Sequence, residues 1–174
     1  HHDFGIKGLD NKLLDTIISI IENKNYQVYI SVEGSINQKY RNYLLKIDPS
    51  DMHHILATAS LLISDSQSMS VEAAMLGVPS LRYSSFVGRI SFLEELEHKY
   101  NLTFGIQIGK ENELLNKLKH LMNIEDLTLE FQSRRAKMLT DKIDVTSFLV
   151  WFIENYPESK LIMKKDSTFQ FNFK

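Results

Sequence analysis

The chain contains no cysteine. That excludes disulfides and thiolate metal sites and fits a reducing compartment, so a cytoplasmic protein is expected. It also lacks any apolar run of about 18 residues and any signal peptide, so no transmembrane segment is expected. Charge of one sign is not in excess either: 20 Lys+Arg stand against 22 Asp+Glu, a formal net charge of −2. Nothing in that balance asks for nucleic acid or for an anionic membrane. HExxH, a Walker loop and a carboxylate-rich cation loop are all missing. So is the GxSxG elbow, which leaves a serine hydrolase without support. Internal repeats and low-complexity linkers are absent.

What is present is ordinary globular material. A length of 174 residues, 43% hydrophobic and 24% charged, suits one domain with its own core. The opening HHDFGIKG has no initiator Met and reads as the middle of a loop. Two readings stand: a tag remnant at His1 and His2, or a piece of a longer protein cut just after a strand.

Along the chain, apolar residues at Leu13, Leu14, Ile17, Ile18, Ile20 and Ile21 predict a helix within Leu9 to Glu22, with Asp10 as its cap. YQVYISV, Tyr26 to Val32, predicts a strand ended by Glu33-Gly34-Ser35. Gln38 to Asn42 reads as a short polar helix or turn, and Leu44 to Ile47 as a second strand stopped by Asp48-Pro49. Ser50 is the expected cap of a helix from Asp51 to Ala59. Further strands are expected at Leu61 to Ser64, Ser80 to Tyr83 and Thr103 to Gln107. Helices are expected at about Met69 to Leu76, Ile90 to Tyr100, Glu111 to Met122 and Leu127 to Thr140. Asp144 then caps VTSFLVWFIENY, which carries a broad apolar face. The tail from Pro157 ends in FQFNF, readable as an edge strand, a docking segment or a frayed end.

Strands alternating with helices imply βαβ units and a parallel sheet buried on both faces. The expected fold is a doubly wound, Rossmann-like α/β domain of about five to six strands. Helices would cover both faces, and a helical extension would follow. Residues 1–143 form the expected domain. Residues 144–174 form a helix and tail that pack on it or on a second domain, or on another subunit.

Polar residues of interest gather where the strand ending at Ser64 hands over to the next helix, in ISDSQSMSVEAAMLGVPSLR, Ile63 to Arg82. Ligands of parallel sheets bind outside the carboxyl ends of the strands. Amides at a helix N-terminus there would suit an anion. Glu72 lies one turn further on, placed to accept from ribose hydroxyls if phosphates sit at the turn. The plainer reading makes Glu72 a first-turn acid favoured by the helix dipole. Ser66 and Ser68 then serve as caps and Asp65 as a turn former. Arg82, Arg89 and Lys7 are candidate anion contacts, though residues of this kind are more often surface charges. His53 and His54 are neighbours on one short helix and point to different faces, so they make no metal pair.

The stretch DMHHILATASLLISDSQSMSVEAAMLGVPSLR resembles the C-terminal half of GT-B-fold nucleotide-sugar enzymes. The similarity is to the UDP-N-acetylglucosamine 2-epimerase branch, and most to a glycosyltransferase family related to it. HDFGIKGL, His2 to Leu9, resembles the loop that opens that family's C-terminal domain, which favours a native His2. The resemblance continues through SFVGRISFLEELEHKYNL and IDVTSFLVWFIENYP. It implies that Ser66, Gln67 and Ser68 face a donor diphosphate and that Glu72 holds the ribose hydroxyls. Lys46 to Pro49, with Ile47, would contact the base, and His2 would lie beside the phosphates, with Lys7 or Arg89 as a cation for the leaving diphosphate.

The implied activity is donor binding, with a nucleotide-sugar such as a UDP-sugar as substrate, in a glycosyltransferase of surface polysaccharide or glycan synthesis. No metal or other cofactor is implied. The acceptor domain would be N-terminal to this chain, which would be inactive alone; a homo-oligomer stays open. A Gly-Gly pair is usual where Gln67-Ser68 stand, and side chains there narrow the approach of phosphate to backbone. That departure counts against an epimerase half. The other alternative is a non-catalytic Rossmann-like module working through its C-terminal helical surface.

Overall fold

The computed structural model describes residues 9–32 and 34–174. Its order is α1 (Asn11–Glu22), α2 (Met52–Thr58), β1 (Leu62–Ser64), α3 (Gln67–Leu76), β2 (Ser80–Tyr83), α4 (Ser91–His98), β3 (Thr103–Ile106), α5 (Glu111–Leu121), α6 (Leu127–Asp141), α7 (Val145–Glu154) and α8 (Glu158–Lys165). It is a mixed α/β structure, largely helical, around a small open parallel sheet of order β1-β2-β3. Leu62 pairs with Ser80, and Leu81 with Phe104.

The predicted boundaries hold where a cap defines them. The Asp10 carboxylate accepts from the Leu13 amide at 2.8 Å and starts α1; the Asp144 carboxylate accepts from the Ser147 amide at 3.0 Å and starts α7. Helix α3 stops at Gly77, whose φ of 75° is left-handed and suits a residue with no Cβ. The cap before α2 is different from the expected Ser50. Asp48 accepts from the Ser50 amide at 2.9 Å, and a 3₁₀ turn at Pro49–Asp51 leads into the helix.

The sheet is smaller than the five to six strands expected. Tyr26 to Val32 and Leu44 to Ile47 do not form strands: they meet in one parallel bridge, Ile30 to Leu44, apart from the β1–β3 ladder. Their β-branched and aromatic content fits an extended backbone, but strand formation depends on neighbours, and one bridge does not make a ladder. The stop at Glu33 lies outside the described residues. The tail departs too. Glu158–Lys165 is helix, and FQFNF closes a 3₁₀ helix, Ser167–Phe173, in place of an edge strand. Phe169 and Phe173 thereby stack on Trp151 at 4.9 and 5.3 Å between ring centroids.

Every residue of β2 is buried. Side chains alternate across a strand, and alternate β2 residues meet different helices. Ser80 and Arg82 reach α3 and α4, while Leu81 and Tyr83 join a core with Leu13 and Ile17 of α1 and Leu114 and Leu118 of α5. Each fully buried leucine contributes roughly 1.5–3 kcal/mol. A smaller cluster of Leu56, Ala73 and Val78 locks α2 onto α3. That contact fixes α2 beside the turn between β1 and α3.

Candidate functional site

The turn from Asp65 to Ser68 lies at the carboxyl end of β1. The Ser66 hydroxyl caps α3, accepting from the Met69 amide at 3.4 Å, and stands 3.2 Å from the Ser68 hydroxyl. The backbone approaching the helix is itself tied down, since the Ser66 amide donates to the Ser64 hydroxyl at 3.0 Å. Asp65 and Ser68 are exposed, whereas Ser66 and Gln67 are half-buried. Ser70, one turn in, is fully buried and donates to the Ser66 carbonyl at 3.0 Å.

Glu72 is half-buried on the flank of α3 facing α2. Its Oε2 lies 3.1 Å from Nε2 of His53, whose side chain is largely exposed. The pair places one carboxylate oxygen on the imidazole and leaves the other for a second partner. His54, the neighbour, is exposed.

Beneath the turn is a feature that the sequence reading missed. Arg82, expected as an anion contact or a surface charge, is wholly buried in β2. Its guanidinium spends all three nitrogens on separate elements. Nε donates to the Thr103 hydroxyl at 3.1 Å, Nη1 to Gln67 Oε1 at 3.2 Å and Nη2 to Glu97 Oε2 at 2.7 Å. Glu94 adds a second carboxylate, 3.8 Å from Nη2. Gln67 then turns its Nε2 onto the Asp65 carbonyl at 3.2 Å. The signal was there in outline. An arginine inside the buried run VPSLRY needs a carboxylate, and Glu94 and Glu97 share one face of the helix that follows.

A second polar contact crosses the other face of β2. The Tyr83 hydroxyl donates to the Glu111 carboxylate and accepts from the Gly109 amide at 3.0 Å. Burial, then the Glu111 carboxylate, pushes the Tyr83 phenol up. The donated hydrogen bond holds the Glu111 carboxyl below its usual range.

Of the remaining expected contacts, Lys46 and Pro49 are exposed and Ile47 is half-buried. Arg89 is exposed, its guanidinium 5.8 Å from the Phe86 ring centroid. Among the described residues, no side-chain hydrogen bond or ion pair ties these four to the turn. His2 and Lys7 lie outside the described residues. No cluster of three or more His, Cys, Asp or Glu among the described residues could hold a metal ion. Among the described residues, no helix is long and apolar enough to cross a membrane.

No family model and no curated protein matches the chain. The site therefore stands on its own geometry: a serine-capped helix start, a carboxylate one turn along it, and a buried arginine below. Chemically it offers hydroxyl and amide donors for an anion beside one acceptor for hydroxyl groups.

Proposed function

We propose that this chain is the donor-binding part of a GT-B glycosyltransferase, taking a nucleotide-sugar of the UDP-sugar class. One observation carries the reading. Ser66 and Ser68 stand at the start of α3 with Glu72 one turn on, half-exposed and oriented by His53. Anionic diphosphate suits the helix start, and a carboxylate suits ribose hydroxyls. The order of motifs in the sequence and the parallel β1-β2-β3 sheet, with different helices against alternate β2 residues, agree with a doubly wound, Rossmann-like domain. Stabilising a departing diphosphate with the turn amides, the helix dipole and a cation such as Lys7 or Arg89 is the catalytic part such a domain would play. The acceptor-binding part would come from a separate domain.

Titration calorimetry tests this directly. UDP should bind, and Glu72→Ala should abolish the signal with the circular dichroism spectrum unchanged. A folded wild-type protein giving no heat at millimolar UDP would sink the reading.

A second reading has an observation of its own. None of the residues of α7 is buried, and Val145, Leu149, Val150 and Ile153 are about half exposed or more. A non-catalytic module that works through this surface would show no response to nucleotide and a defined complex with a protein partner.

A further inference from the structure

We infer that Arg82 is a positioning residue for the candidate diphosphate turn, acting through Gln67 from inside the sheet. This rests on the donor-binding reading of the same site and says how its shape is set.

The chemistry begins with the guanidinium, which only donates. An acceptor must therefore face each nitrogen, and this assigns the Gln67 amide without ambiguity: Oε1 toward Arg82 Nη1 and Nε2 toward the Asp65 carbonyl. The other two anchors are equally constrained. Thr103 Oγ1 accepts from Arg82 Nε at 3.1 Å and from the Ser80 hydroxyl at 2.8 Å, and both residues are fully buried. Glu97 accepts from Nη2 and from the Gly105 amide at 2.9 Å. A Cβ at position 105 would come within 2.9 Å of Nη2, so the glycine leaves the room that the guanidinium occupies.

The Gln67 amide ties the Asp65 carbonyl, and with it the turn whose amides an approaching anion needs, to the buried guanidinium. Held by Arg82, Gln67 folds inward and closes back on its own turn. The surface presented at the helix start is then backbone together with the hydroxyls of Ser66 and Ser68. Lysine could not do this, because one ammonium cannot span Thr103, Gln67 and Glu97 in a planar fork.

The test is a double-mutant cycle read by calorimetry with three probes: UDP, inorganic pyrophosphate and uridine. Gln67→Ala and Arg82→Lys should each weaken UDP and pyrophosphate about tenfold and leave uridine binding unchanged. The combined variant should be no worse than either alone, as residues acting through one contact are not additive. Should Arg82→Lys fail to fold, Gln67→Leu takes its place: it fills the same space without an acceptor for Nη1 and should weaken pyrophosphate binding as Gln67→Ala does.

Equal losses for uridine and pyrophosphate, or additive losses in the combined variant, would overturn the positioning role. So would unchanged pyrophosphate affinity in Gln67→Ala while the wild type binds UDP. A folded wild type that binds neither UDP nor pyrophosphate removes the donor-site reading and the positioning role together.

Discussion

Nη2 of Arg82 lies 2.7 Å from Oε2 of Glu97, an ion pair in which the arginine side chain is wholly buried and the glutamate partly so. Such a pair is costly to assemble and more costly to break on one side. Glu97 also accepts from the Gly105 amide, so its removal orphans two donors. Glu97→Ala should therefore destabilise the fold by about 3 kcal/mol, the low end for a broken buried pair, because Glu97 keeps some solvent. Glu97→Gln, which leaves an acceptor for Nη2, should lose clearly less. Urea denaturation of both variants measures the difference, and equal losses would contradict it.

Gly77 ends α3 with a φ of 75°, and a Cβ there would fall 2.5 Å from Gln132 Nε2, which donates to the Leu76 carbonyl at 2.8 Å. Gly77→Ala therefore strains the backbone and displaces the side chain that caps it. We expect a loss of about 1–2 kcal/mol from the left-handed conformation alone, with the Gln132 contact adding to it. Thermal melting would show it. An unchanged midpoint would mean that the turn adapts without strain.

Tyr83 and Glu111 give a dependence on pH at both ends of the scale. The Glu111 carboxyl is held low in the folded state by the Tyr83 hydroxyl, so its contribution is present above the unfolded glutamate pKa of about 4.3. It is lost as pH falls through the lower folded value. The Tyr83 phenol is raised by burial and by Glu111, so its contribution is full below about pH 10 and is lost as pH rises through the folded value. The stability gap between wild type and Tyr83→Phe, read from urea midpoints, should be widest near neutrality and should narrow at both extremes. A gap constant from acid to alkali would show that the pair does not couple to titration.

Ile153 on α7 is 71% exposed, and its neighbours Val150 and Leu149 are about half exposed. Ile153→Lys should leave folding stability within about 0.5 kcal/mol, as surface changes away from special features usually do. The same change should reduce binding of an apolar dye and any self-association seen by sedimentation. A large loss of stability would show instead that this face packs on its own chain.

Much of the local structure was legible because it rests on local chemistry. Asp10 and Asp144 cap helices through amides three residues ahead, contacts that need no distant partner. The run from Ile63 to Arg82 likewise carries its own strand, serine cap, helix, left-handed glycine and second strand. Its apolar pattern also places β2 deep in the core. The tail was not legible, since FQFNF alternates like a strand, yet Phe169 and Phe173 are set by Trp151 and Phe148 across the α7 surface. YQVYISV failed for the complementary reason, because an extended segment becomes a strand only beside a partner, and Ile30 meets Leu44 alone.

Sequence alone located most of the helices before the tail, the parallel order of the three paired strands with β2 buried among them, and a serine-rich turn with Glu72 after β1. Those features come from caps, periodicity and the order of elements, which act over a few residues. That three strands pair, that His53 stands against Glu72, and that Arg82 lies buried under Gln67 emerge from the packed fold alone. Each of those depends on bringing residues from separate elements within hydrogen-bond reach. For a charged side chain, that packing sets whether it is solvated or must be paired.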